Sequence, residues 1–370
     1  MLDPIWNFFG WLFRTIWQGL GLLVSGLLAP FRWIGQWYTQ RGWILKLVVG
    51  LVAIAIVVLY ALFFWNTQTW PGFNPNYVDA YEFKKRSISA GEVAGDGSAK
   101  VCGKSGIVEV AIDLTDYNVN QNAWISSTLA YKLGFFLVAD WDDTPFFDNK
   151  ASFQRGINQA LRTTSLELVN HLGRVAATSQ IDRDLESARG NFFFDEETWY
   201  FGIHPFGFKT PTPSYHRDAI GFLRSFNTRL ENCSAVFDAR SDNLRSYFTN
   251  IVSAMGDTSA LLKDRVENHA GGVFDFRADD RFWFAYGQMY AYYGMISAAR
   301  ADFEDVIKQR NLNARWDEME NNFRRGLEIR PWIVANSSPD GLFASHLSTL
   351  GLYVLEVSRN MSQISDVLAN

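Results

Sequence analysis

Between Trp43 and Trp65 the chain runs WILKLVVGLVAIAIVVLYALFFW, an apolar stretch in which Lys46 is the only charge. A helix rises about 1.5 Å per residue, so this stretch crosses a hydrocarbon core of about 30 Å with some tilt. It predicts a transmembrane helix over 43–65, with Trp43 and Trp65 at the two headgroup layers and the Lys46 stem snorkelling to the nearer one. The run is too long and starts too late for a signal peptide, and no small-residue cleavage site follows it. Residues 5–29 carry a different pattern. At about 100° per residue, Asp3, Asn7, Arg14, Gln18 and Ser25 fall on one stripe with apolar residues opposite, which predicts an amphipathic helix. It reads as a helix lying in the cytoplasmic interface, with Trp6, Trp11 and Trp17 at headgroup depth. The alternative is a second span, against which the cost of Arg14 near mid-depth weighs.

Past the span, 66–80 (NTQTWPGFNPNYVDA) mixes prolines and a glycine with polar residues and reads as an extended linker. In 107–114, Val108, Val110, Ile112 and Leu114 alternate with Glu109, Ala111 and Asp113, the period-2 pattern of a half-buried strand. Its expected partner is a hairpin over 192–203, in which Phe192 to Phe194 and Trp199 to Ile203 flank the acidic turn of Asp195, Glu196 and Glu197. The rest repeats at spacings of three and four. Helices are predicted through Phe153 to Leu172, Leu244 to Leu262, Trp283 to Val306, Trp316 to Leu327 and Leu342 to Val357, with breaks at 271–272 and 339–341.

Charge sets the orientation. Residues 1–65 carry Arg14, Arg32, Arg41 and Lys46 against Asp3 alone, so the positive-inside rule puts that side in the cytoplasm and the large domain outside. In a bacterium that compartment is the periplasm. Lys84, Lys85 and Arg86 oppose this weakly, about 20 residues past the span and at the limit of the rule's reach. The chain's net charge of −5 argues against a nucleic-acid partner. Two cysteines exclude a disulfide-dense scaffold. Five scattered histidines, none paired at i, i+4, give no zinc motif, so neither metal nor cofactor is expected. Cys102 and Cys233 both fall on the outer side. An oxidising compartment favours a bridge between them, closing a loop of about 130 residues, with two buried thiols as the alternative.

Candidate chemistry is sparse. Asp140, Asp142, Asp143 and Asp148 lie in ADWDDTPFFDN, where dense carboxylates serve calcium binding or acid/base work. The segment lacks the central glycine and terminal glutamate of an EF-hand loop, and it reads as a turn at a helix end. Asp142, Asp143, Glu196 and Glu197 are the acid/base candidates for cleavage of a glycan, which needs two carboxylates about 5–10 Å apart. His216 and Arg217, beside Tyr215 and Asp218, form an anion-binding candidate at a helix start, with a capped surface helix as the plainer reading. Aromatic residues make up 16% of the chain, roughly twice ordinary usage. Trp283, Tyr286 and Tyr290 lead the densest cluster. Such rings stack on sugars or line a lipid groove, but core packing accounts for them more simply. No G-x-S-x-G elbow, P-loop or G-x-G-x-x-G fingerprint is present.

The Trp-rich first helix, the single span, and the segments DNKASFQRG (148–156), FDEETWYF (194–201) and YHRD (215–218) look like the proteobacterial membrane proteins grouped as domain of unknown function 2333. The resemblance covers nearly the whole chain and implies a Gram-negative inner membrane; it supplies no activity and no site residues. The expectation is a mainly α fold: residues 1–42 a cytoplasmic-side amphipathic segment, 43–65 a transmembrane helix, 66–80 a linker, and 81–370 an α-rich extracytoplasmic domain with a small antiparallel β element. Its expected partners are the lipid bilayer and another envelope protein, bound without catalysis. The alternative is an enzyme or carrier acting on cell-wall glycan or lipid through carboxylates and an aromatic-lined cleft.

Overall fold

The computed structural model describes residues 3–86, 89–93, 101–174, 179–269, 275–337 and 345–369. Residues 1–62 and 63–370 form two units. The first holds α1 (Asp3–Thr39), which continues through Pro30, and most of α2 (Trp43–Gln68). Among the described residues, α2 is the one helix long and apolar enough to cross a membrane. Trp43 and Trp65 are exposed. Of the predicted polar stripe on α1, the side chains of Asp3 and Asn7 lie outside the described residues, as does that of Trp6; Arg14 and Gln18 are exposed.

The second unit is mainly α. In chain order its helices are α3 (Gly106–Asp116), α4 (Leu129–Leu133), α5 (Asn149–Glu167), α6 (Arg183–Phe192), α7 (Thr212–Glu231), α8 (Ser241–His269), α9 (Ala278–Asp302), α10 (Glu304–Gln309), α11 (Asn313–Leu327) and α12 (His346–Ala369). Two antiparallel pairs complete it: β1 (Gly91–Val93) with β2 (Val101–Gly103), and β3 (Phe201–Ile203) with β4 (Phe206–Phe208). α9 is apolar on nearly every side, and α3, α5, α8, α11 and α12 bury it almost from end to end. α5 and α9 approach until their backbones touch. A Cβ on Gly156 would stand 2.1 Å from the Phe284 carbonyl oxygen, and one on Gly287 would stand 2.1 Å from that of Phe153, so only glycine fits at either position. Arg229 of α7 grips Asp182, the N-cap of α6, through two hydrogen bonds of 2.8 Å and reaches Asp184 at 2.7 Å, tying that helix pair together. Cys102 in β2 and Cys233, just past α7, are joined in a disulfide.

Three expectations need correcting. Residues 107–114 form not a strand but α3, capped by Ser105, whose hydroxyl accepts from the Val108 N–H. Burial on most of its circumference hides the helical period, and the polar stripe of Glu109, Asp113 and Asp116, spaced four and three apart, is what marks it. Residues 192–194 close α6 rather than pair with Phe201–Ile203, whose partner lies downstream at Phe206–Phe208. Residues 66–80 are not a free linker: α2 runs on to Gln68, and Trp70, Phe73 and Tyr77 pack on the aromatic face of α9, with Tyr77 stacked on Tyr290 at 4.5 Å. The expected breaks at 271–272 and 339–341 lie outside the described residues.

Candidate functional site

The end of α2, from Phe63 to Gln68, belongs to the second unit and packs within it. Phe63 packs on Trp141 at 4.6 Å between ring centroids, and Phe64 on Phe147 at 4.6 Å. The ammonium of Lys150, at the start of α5, donates to the carbonyls of Asn66 and Thr69 (2.8 and 2.7 Å), and Gln68 donates to the Phe146 carbonyl. Carbonyls at a helix C-terminus lack partners of their own, and a cation there also opposes the helix dipole. Burial draws the Lys150 ammonium down to about 8.

Beside this joint two helices begin. Asp148 precedes α5, Asp279 and Asp280 stand in the first turn of α9, and Asp142 lies in a short turn at 141–143. Carboxylate oxygens of Asp142, Asp148 and Asp280 all come within 4.8 Å of one another. Ser152 donates to Asp280 at 3.0 Å and the Tyr131 hydroxyl to Asp142 at 3.2 Å. Asp148 and Asp279 are both buried; the Asp148 carboxyl faces that of Asp280 within hydrogen-bonding reach, and among the described residues no basic side chain pairs with either. Burial first, and then the neighbouring carboxylates, push Asp148 far above the usual carboxylate range; burial also lifts Asp280, and carries Asp279 up to about 8. On the same side a cavity of about 420 Å³ opens between Trp70, Phe73, Phe146, Trp283, Arg330 and Trp332.

The family model described as "Uncharacterized protein conserved in bacteria (DUF2333)" matches residues 38–272, more than half of the chain. The chain belongs to this family. No curated protein and no solved structure matches it.

The remaining residues singled out in this DUF2333 member fall in three places. Most of the acid/base candidates are held in ion pairs: Asp143 with Arg277 (3.1 Å), Glu196 with Arg162 (3.1 Å), and Glu197 with both Lys132 and Arg155 (2.8 Å each). Asp142 and Glu197 nevertheless line one shallow pocket of about 230 Å³ with Tyr131, Lys132 and Arg155. The aromatic candidates separate. Trp283 lines the larger cavity, whereas Tyr286 and Tyr290 are core residues whose hydroxyls donate to the carbonyls of Leu327 and Asn74, so neither is available to stack on a ligand. His216 and Arg217 do not form an anion site. His216 is buried against Trp124 and driven down to about 3 by burial, which keeps it neutral, while Arg217 donates to Asn120 and to the Val119 carbonyl. Asp279, Asp280, Arg330 and Trp332 were not legible as site residues. The paired aspartates at the head of α9 were the available signal, since acids in a first helical turn are ordinary and only the fold brings Asp148 to them.

Proposed function

We propose that this protein is a membrane-anchored envelope protein of a bacterial inner membrane, with its N-terminus in the cytoplasm and its helical unit in the periplasm, lying against the bilayer. In this reading it works as a binding or scaffold module rather than as a catalyst. The observation that carries bilayer contact is the loop after α4. Leu137 is 80% and Val138 85% exposed, Phe135 and Phe136 beside them are exposed as well, and Phe136 and Leu137 hold left-handed backbone conformations. Consecutive bare apolar side chains on strained backbone are costly in water and mark a surface that meets something apolar. Phe135 packs on Trp141, which in turn packs on Phe63 in α2, and this supports reading the loop as the part of the unit that meets the bilayer. Full burial of one such side chain is worth about 1.5–3 kcal/mol. The charge asymmetry of residues 1–65 and the Cys102–Cys233 bridge support the orientation.

The ion pairs on Asp143, Glu196 and Glu197 favour binding over catalysis, because a carboxylate clamped by Arg or Lys is a poor general acid. The enzymatic alternative keeps one argument, the pocket shared by Asp142 and Glu197. To test bilayer contact, Leu137→Cys is labelled with an environment-sensitive fluorophore and the full chain is placed in liposomes. A blue-shifted emission quenched by nitroxide lipids is expected; emission equal to that of the label in buffer contradicts the contact. The expected partner is another envelope protein, with a glycan or lipid as small ligand. In-cell crosslinking should recover that protein reproducibly, and a clean negative with verified expression counts against it.

A further inference from the structure

We infer that Asp142, Asp148 and Asp280 form a binding site for a hard divalent cation of the calcium type, set between the turn at 141–143 and the heads of α5 and α9. Oxygens from two stretches of chain, 142–148 and the head of α9, converge within 4.8 Å. Ligands of one ion with Ca–O distances of about 2.4 Å can stand no farther apart than this, so the three oxygens are close enough to share one ion. A cluster of acids alone means little, but Asp148 is fully buried, and apart from the facing Asp280 carboxyl neither of its oxygens has a side-chain partner among the described residues. Buried carboxyls crowded this closely must either hold a proton between them or share a cation, and a cation between the three lets all of them ionise. Asp279, 4% exposed, adds a further buried carboxyl beside Asp280 in the first turn of α9.

The nearby side-chain cations are directed elsewhere or lie outside. Arg277 pairs with Asp143, Lys150 caps the end of α2, and Arg281 is exposed. The donor set is all oxygen, without cysteine or histidine, which selects calcium, magnesium or manganese over zinc or copper. Asp142 is exposed and leaves one side open for water ligands and for entry. A bound ion would fasten the 141–148 segment to α9 next to the end of α2.

The test uses the full chain in a zwitterionic detergent, stripped with EDTA and titrated with CaCl2 by calorimetry and by thermal melting. Saturable binding of a single ion with a raised Tm is expected. Asp142→Asn should weaken binding at least about tenfold and Asp148→Asn should abolish it, while Asp257→Asn on the exposed side of α8 leaves it unchanged. If Asp148→Asn fails to fold, the exposed Asp142 position carries the comparison alone. Tighter binding of Mg2+ or Mn2+ with the same mutational pattern supports the site. Absence of heat and of any Tm shift with all three ions means that the carboxyls share a proton instead and overturns the inference. Binding that survives both substitutions overturns it equally.

Discussion

Reducing the Cys102–Cys233 bridge, or replacing both residues by serine, is expected to destabilise the helical unit by about 5 kcal/mol. The cysteines are separated by 131 positions, so the bridge closes a loop that takes in α3 to α7. In the chain-entropy account a cross-link removes conformations from the unfolded chain, and its effect grows with the logarithm of loop size. The bridge holds a short hairpin strand to the end of α7, and nothing else covalent joins those segments. Melting of the full chain with and without reductant should show Tm lower by roughly 10 °C in the reduced protein. Cys102→Ser/Cys233→Ser should match the reduced protein in either buffer. An unchanged melting curve would show that packing between α6, α7 and the β1–β2 pair holds these segments unaided.

Asp302→Ala is the second large effect, expected at about 3–5 kcal/mol. Asp302 closes α9 and sits buried against the N-terminus of α3, where its oxygens accept from Ser105 Oγ (2.7 Å), Gly106 N–H (2.7 Å) and Ile107 N–H (3.0 Å). Each buried donor left without an acceptor costs about 1–3 kcal/mol, and a carboxylate at a helix N-terminus also meets the favourable end of its dipole. Burial outweighs these donors and lifts the carboxyl to about 6, so it is ionised at neutral pH. Its folded value lies above its ordinary 3.8, so the folded state holds the proton longer than the unfolded chain does. This group's contribution is therefore greatest at low pH and declines as pH rises from about 4 through 6. Asp302→Asn keeps one acceptor, should lose less than Asp302→Ala, and should remove that slope. Denaturant unfolding of the three proteins at pH 4.5 and pH 7.5 checks both the order and the slope. Equal stability of Asp302→Ala and the parent would sink the capping role.

What the sequence made legible was what local pattern determines. The helices α5, α8, α9, α11 and α12 follow from spacings of three and four because each has a buried stripe, or in α9 a buried circumference, beside recognisable breaks. The pattern of α3 resembles a strand because a short helix enclosed by α7 and α9 carries apolar residues at both alternating and helical positions. At 66–80 the prolines and asparagines suggest a linker, whereas Trp70, Phe73 and Tyr77 supply the contacts that fix the segment. The acidic cluster was half legible. Asp142 and Asp148 lie in one conspicuous segment, but Asp280 is more than a hundred residues away, and that meeting is made by the packing of α5 on α9 through Gly156 and Gly287. Likewise, no local feature told Trp283, which lines a cavity, from Tyr286 and Tyr290, which are core.

The proposed orientation puts the helical unit on the oxidising, outer side of the membrane, and the redox state of its cysteines in living cells is the measurement that decides it. Intact cells expressing the full chain are treated with a membrane-permeant alkylating reagent before lysis, and the protein is analysed by mass with and without reductant. The account predicts that Cys102 and Cys233 escape alkylation and are recovered as one linked peptide pair until reductant is added. Both cysteines alkylated in unreduced cells would place the unit in a reducing compartment and contradict the account.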